Sequence, residues 1–222
     1  MGRFWVKAVR TVIRHNLKGA YVRYDPGDWF ECHNQELAEL LQKGLVKTSA
    51  LDIKANFANM DAGVLTIGHT APEEMCKSYG LDIRRSNKVG LPWERTVLWY
   101  PGKNLTAEAI VLGLMRIDAE DPHLAWEMAV MLDSKSRLAK DVGTEEDKAR
   151  TLEVLGDLRL PVYETGVIWV RNTEMTQAVL QLWRAEVDAG ADERHAFLRT
   201  IYSCRVLLCT LPSDWIGQWM RE

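Results

Sequence analysis

The sequence lacks the short motifs that most often reveal chemistry in an unfamiliar protein. It has no glycine-rich phosphate loop of the GxGxxG or GxxxxGK[ST] type, and its five histidines form no HxxxH or HExxH pair. Its four cysteines, Cys32, Cys76, Cys204 and Cys209, show no CxxC spacing. A structural zinc site is therefore not expected, and the cysteines are predicted to be reduced thiols.

Long apolar runs and a strong net charge are also missing. No run approaches the roughly 20 apolar residues that cross a bilayer, and the first residues lack the features of a secretory signal. Lys and Arg number 28 against 31 Asp and Glu, a formal charge of -3. Neither a membrane partner nor recruitment of nucleic acid by a global basic field is therefore expected.

Tryptophan is abundant, with nine residues in a chain of 222. Its large rigid ring covers much area, so an excess can signal a stacked ligand or a large partner surface. Packing in an ordinary core explains the same count. Composition leaves both interpretations open.

The local patterns divide the chain into a small α+β module over residues 1–49 and an α/β domain over residues 50–222. In the module, strands at Tyr21–Tyr24 and Trp29–Cys32 flank a turn, and Asn34 is predicted to cap a helix that ends at Gly44. In the larger domain, apolar runs alternate with helical periodicity. This alternation predicts a mostly parallel sheet flanked by helices.

The clearest elements of the α/β domain lie in its second half. Thr144 and three following acids predict a helix that ends at Gly156. The stretch 162–171 reads as a strand, and Asp192 is predicted to cap a later helix. Six residues are expected to bury together against one sheet, because helices that flank a parallel sheet present their apolar stripes to it: Val167, Trp169, Leu182, Trp183, Phe197 and Ile201.

Several short sequence motifs between Leu160 and Trp215 resemble motifs in the C-terminal half of GT-A-type nucleotide-diphosphosugar glycosyltransferases. They are Tyr163-Glu164-Thr165-Gly166-Val167, Leu180-Gln181-Leu182-Trp183, the acidic-led helix from Asp192 to Arg199, and Leu211-Pro212-Ser213-Asp214-Trp215. The resemblance covers about a quarter of the chain closely and about half loosely. It implies a GT-A-like sheet flanked by helices.

The same resemblance implies a set of site residues. A GT-A enzyme holds Mn or Mg between carboxylates and the diphosphate of a nucleotide sugar, and the nearest acidic cluster is Asp118, Glu120 and Asp121. A solvated turn explains this cluster equally well. Asp192 and Glu193 match the acids that act on the acceptor, although a helix cap is the preferred interpretation of Asp192. Asp133 is better placed after a strand, but no second carboxylate follows it at the right spacing.

The N-terminal module resembles small modules of tailed-phage virion proteins, through the order Pro26-Gly27-Asp28-Trp29, strand, leucine-rich helix, glycine, strand. The resemblance implies a location in the virion after synthesis in the host cytoplasm; a purely cytoplasmic location is the alternative. Aromatic and arginine residues favour interfaces. The predicted contact residues are Trp5, Arg10, Arg14, Tyr24 and Trp29.

Two functions are consistent with these patterns. The first, which we favour, is a phage virion structural or accessory protein whose degenerate transferase-like domain acts through protein–protein contacts and needs no cofactor. Its expected partners are other chains of an assembly, including copies of itself. The alternative is an active GT-A glycosyltransferase that moves a sugar from a nucleotide sugar to an acceptor.

Overall fold

The computed structural model describes residues 3–15, 20–47, 61–68, 81–86, 90–100, 126–133 and 137–211, together with residues 110, 113, 114, 117 and 135. Within these ranges the strands form a six-stranded sheet, a three-stranded sheet and a two-stranded hairpin. No helix in them is long and apolar enough to cross a membrane.

In the N-terminal module, residues 3–15 and 20–47 form five strands and one helix. They are β1 (Arg3–Ala8), β2 (Val12–His15), β3 (Tyr21–Tyr24), β4 (Trp29–His33), α1 (Asn34–Gln42) and β5 (Val46–Lys47). Strand β1 pairs antiparallel with both β4 and β5, and β2 pairs antiparallel with β3. The predicted cap at Asn34 is wrong by one position, because His33 is the N-cap and provides no side-chain hydrogen bond.

The larger domain is built on a six-stranded sheet. Its strands are β6 (Ala62–Ile67), β7 (Asp82–Ser86), β8 (Arg95–Trp99), β9 (Met128–Leu132), β10 (Tyr163–Arg171) and β11 (Leu208–Leu211). Their order is β11-β9-β10-β8-β6-β7, and only β10 runs antiparallel to its neighbours. The prediction of a mixed α/β fold with a mostly parallel sheet is confirmed.

Between residues 137 and 211 the structure describes three α-helices, and their ends agree closely with the predictions. They are α2 (Glu145–Leu155), α3 (Glu174–Asp188) and α4 (Glu193–Cys204). The Thr144 side chain accepts a hydrogen bond from the Asp147 amide, and Gly156 ends α2 with a left-handed backbone (φ 74°). Asp192 caps α4 by accepting from the amides of Arg194 and His195. These interactions satisfy backbone groups that a helix end leaves unpaired.

The sheet buries different side chains on its two faces. Ile168 and Val170 share a cluster with Trp183, Phe197 and Ile201. Val167 and Trp169 belong to the other cluster, because successive side chains of a strand point to opposite faces. The prediction that all six residues bury together is therefore wrong for Val167 and Trp169. It is also wrong for Leu182, which is 51% exposed.

The N-terminal module shares a core with the second face of the sheet. Val6, Phe30 and Leu37 lie in the same buried apolar cluster as Val97 and Trp169. Removing the module would therefore expose apolar area on the sheet as well as remove surface. Experiments on this module should change its surface residues rather than delete it.

Candidate functional site

The carboxyl ends of the parallel strands define one edge of the large sheet. Strands β6, β8 and β9 end there, at Ile67, Trp99 and Leu132, and antiparallel β10 begins beside them. In the sheet, β7 lies on one side of β6 and β8 lies on its other side, so the order of strands reverses at β6. In open α/β sheets, ligands bind outside the carboxyl ends of the strands at such a reversal of strand order.

Asp133 follows β9 directly at this edge and is buried. Its Oδ2 accepts hydrogen bonds from Arg137 Nη2 (2.6 Å) and Nε (3.0 Å), and its Oδ1 accepts from the Lys135 amide (2.9 Å). Burial alone raises the pKa of Asp133, but these hydrogen bonds outweigh it and hold that pKa below its usual value. Both carboxylate oxygens therefore already have donors from the protein.

Replacing Arg137 by glutamine should change how stability depends on pH. In the native chain the lowered pKa of Asp133 adds stability above the unfolded-state pKa of about 3.9, and this stability is lost as the pH falls. Without Arg137 the pKa of Asp133 loses the hydrogen bond that lowers it most and therefore rises, so the loss of stability relative to wild type is largest at neutral pH. Urea unfolding at a series of pH values should show a stability difference from wild type that vanishes on acidification.

Arg159→Gln is the matched control, because Arg159 forms a similar but exposed ion pair with Asp157. Its effect should be small at every pH. A stability difference in Arg137→Gln that stays constant across the series would contradict the assignment to Asp133.

The charges of Asp192 and Glu193 act on residues of the same edge. The hydrogen bond with Asp133 is the largest cause that raises the pKa of Arg137. The nearby negative charges of Asp133, Glu164 and Asp192 raise this pKa further. Burial raises the pKa of Tyr100 at the end of β8, and the charge of Glu193 raises it further. The charge of Asp192 thus acts on the arginine that binds Asp133, and the charge of Glu193 acts on Tyr100. It also confirms the cap role of Asp192, whose Oδ1 accepts both amide bonds.

An open groove runs along α3. Its volume is about 720 Å³, and its lining combines apolar, amide and charged groups, including Leu91, Gln177, Leu180, Gln181 and Arg184. The charge of Arg184 also acts on Tyr100. Its size and mixed lining suit a small polar ligand.

The predicted metal ligands Asp118, Glu120 and Asp121 lie outside the described residues. Within the part of the chain that the structure describes, no three His, Cys, Asp or Glu side chains are grouped so that they could hold a metal ion.

A buried polar network, which the sequence did not indicate, connects the three C-terminal helices. Arg199 donates to the carboxylate of Glu186 on α3 and to Thr151 Oγ1 on α2 (2.7 Å). Thr151 Oγ1 lies 2.7 Å from His195 Nδ1, and His195 Nε2 lies 3.1 Å from the Val142 carbonyl. A neutral imidazole that carries its proton on Nε2 satisfies both contacts. His195 is thus part of the framework that holds α4.

The predicted interface residues are divided between the surface and the interior of the N-terminal module. Arg14 pairs with Glu36 (3.0 Å), and Tyr24 stacks on Phe30 with ring centroids 4.3 Å apart. Arg10 and Trp29 are exposed, Trp29 by 56%. Trp5 lies in β1, and its side chain is outside the described residues.

The outer side of the β2–β3 hairpin is a surface that the composition alone did not reveal. Ile13 lies opposite Arg23, and His15 lies opposite Tyr21. Alternation in both strands puts these four residues on one side, which we call the hairpin face. Ile13 is 63% exposed and Tyr21 is 74% exposed.

The fold and the edge site define the class of the protein as mixed α/β with a six-stranded, mostly parallel sheet. Comparisons with protein-family models, curated proteins and solved structures give no match.

Proposed function

We propose that the chain is a structural or accessory protein of an assembly, that of a tailed-phage virion, and that it binds other chains through its N-terminal module. The observation that carries the proposal is the exposure of Ile13, Tyr21 and Trp29 within one small module. The transferase-like domain serves in this proposal as a packing unit.

The composition of the exposed surface supports this proposal. Tyrosine and tryptophan, with arginine, are the residues most enriched among those that dominate binding energy at interfaces. Arg10 and Arg23 are exposed in the same module, and Lys7 Nζ lies 6.0 Å from the centroid of the Trp29 ring. A surface with exposed aromatic rings between cations suits a protein partner with apolar and acidic groups.

The carboxyl edge also supports a non-catalytic role for the domain. A metal-dependent transferase needs carboxylate oxygens that are available to a divalent ion. At Asp133, the carboxylate best placed on the sheet, both oxygens accept hydrogen bonds from Arg137 or the Lys135 amide.

The proposal is tested by the double variant Ile13→Ser, Tyr21→Ser in purified particles. Both side chains are exposed, so the variant should fold normally and yet enter particles at least about tenfold less, if each truncation costs about 1 kcal/mol of binding. Copy number per particle is measured by quantitative mass spectrometry after density-gradient purification.

Leu182→Ser is the matched control, because Leu182 is about as exposed but lies on α3. It should enter particles at the wild-type level. Wild-type incorporation of the double variant would reject the proposed role of the module.

Active glycosyl transfer is the second candidate, and a specific observation favours it. Asp133 and Tyr100 directly follow two strands at the edge where α/β sheets bind ligands, and the charges of Asp192 and Glu193 act on Arg137 and Tyr100 there. Titration of manganese with uridine or guanosine diphosphosugars, followed by calorimetry and sugar-nucleotide hydrolysis, tests it. Saturable binding that disappears in Asp118→Ala or Asp121→Ala would favour this function over the structural one.

A further inference from the structure

We propose that the partner of the hairpin face is a second copy of this chain, and that the hairpin face docks on the outer side of α2 in that copy. The inference rests on the proposed assembly function and names the partner of the same surface. Two different surfaces of one chain would meet, so the contact is head to tail.

The distribution of charge along the chain supports this partner. Residues 1–49 contain eight Lys or Arg and five Asp or Glu, a formal charge of +3, whereas the whole chain carries -3. Residues 50–222 therefore carry a formal charge of -6. Opposite charges on two parts of one chain favour contacts between copies in a fixed orientation and disfavour contacts between like parts.

The outer side of α2 provides a surface of the required chemistry. Asp147 and Thr151 are the buried residues of this helix. The opposite side presents Glu145, Glu146, Leu152 and Glu153, all exposed, and Leu152 is 48% exposed. Glu145 pairs with Lys148 of the same helix (2.7 Å), and Leu152 with the carboxylates of Glu146 and Glu153 is the complement of Ile13 and Tyr21 beside cations.

The basic groups of the hairpin are available to such a partner. Arg10 lies in the exposed turn before β2. Arg23 forms an exposed ion pair with Asp25 (2.9 Å). Such a pair contributes little net stability, so a carboxylate of the docking partner can replace Asp25 as the partner of Arg23 at small cost. Arg14 points to the other side of the hairpin, where it pairs with Glu36.

A head-to-tail contact leaves one hairpin face and one α2 free at the ends of each oligomer. It therefore continues until a ring closes or a filament forms. Because charge contributes to the contact, self-association should weaken as salt is added, over the range in which the screening length falls from about 30 Å to about 8 Å.

Charge reversal at each surface tests the inference on the full chain. One variant carries Arg10→Glu with Arg23→Glu; the other carries Glu146→Gln with Glu153→Lys, which keeps Glu145 in the first turn of α2 and its pair with Lys148. Sedimentation velocity over a range of concentrations should show wild-type oligomers and, for each variant alone, self-association at least about tenfold weaker, or about 1.4 kcal/mol.

An equimolar mixture of the two variants is the decisive arm. Each hairpin face meets an α2 of opposite charge when the two variants alternate, so the mixture should recover oligomers with an even number of chains. Failure to recover them, or a wild-type chain that stays monomeric at every concentration, would overturn the inference. The particle experiment with Ile13→Ser, Tyr21→Ser is independent of this result, because it detects binding to any partner.

Discussion

Replacing Trp169 by alanine should lower the free energy of unfolding by about 3–5 kcal/mol. The side chain is fully buried on the face of the sheet that the N-terminal module shares. Its Nε1 donates to the Ile110 carbonyl (3.0 Å), and a Cβ at Gly113 would lie only 2.2 Å from the ring. The ring therefore fills a tightly packed space, and alanine would leave a cavity and an unpaired carbonyl.

Urea unfolding monitored by far-UV circular dichroism measures this loss, and Trp29→Ala is the control. Trp29 is more than half exposed, so its replacement should change the free energy of unfolding by less than about 1 kcal/mol. Equal losses for the two variants would contradict the described packing of Trp169.

Replacing Glu186 by alanine should cost a similar amount, about 3–5 kcal/mol, for an electrostatic reason. Arg199 is buried and donates through both Nε and Nη2 to the Glu186 carboxylate. Without that carboxylate, a guanidinium charge remains in the interior, and its acceptors among the described residues are Thr151 Oγ1 and the Asp147 carbonyl. The expected measurement is the midpoint of urea unfolding at neutral pH.

Two further variants separate loss of a buried charge partner from loss of packing. Arg199→Met combined with Glu186→Leu removes both charges and should recover most of the stability. Asp188→Ala breaks only an exposed ion pair with Arg184 and should cost less than about 1 kcal/mol. A double variant that is no more stable than Glu186→Ala would show that the ion pair is not the cause.

Local patterns predicted most of the elements of the fold. Thr144 and Gly156 marked both ends of α2, because side-chain caps and left-handed glycines are determined by neighbouring residues. The dense β-branched and aromatic run of β10 marked a strand for the same local reason.

Strand direction and face assignment could not be read in this way. The insertion of β10, antiparallel, between β8 and β9 depends on contacts between residues that are far apart in sequence. A run that is buried on both sides has no polar alternation to show which residues share a face. This is why the sequence does not separate Val167 and Trp169 from Trp183, Phe197 and Ile201, which pack on the other face.

The candidate sites also divide into features set by neighbouring residues, which were predicted, and features set by residues far apart in sequence, which were not. Asp192 was placed correctly as a cap because its partners are the next residues along the chain. The contact of Thr151 with His195 spans 44 positions, and no local signal marks it. In the hairpin, residue type alone led to Arg14 and Tyr24 as predicted contact residues. The strand register and the exposed fractions show instead that Ile13 and Tyr21 lie on the exposed side.

The most direct test of the proposed function is a photo-cross-linking residue at position 21 in assembled particles, with the same residue at position 182 as the reference site. We expect the photo-cross-linking residue at position 21 to form cross-links to another protein chain. The same residue at position 182 should form far fewer such cross-links. Cross-links from position 21 that stay within the same chain, or a stronger intermolecular signal from position 182, would contradict a binding role for the N-terminal module.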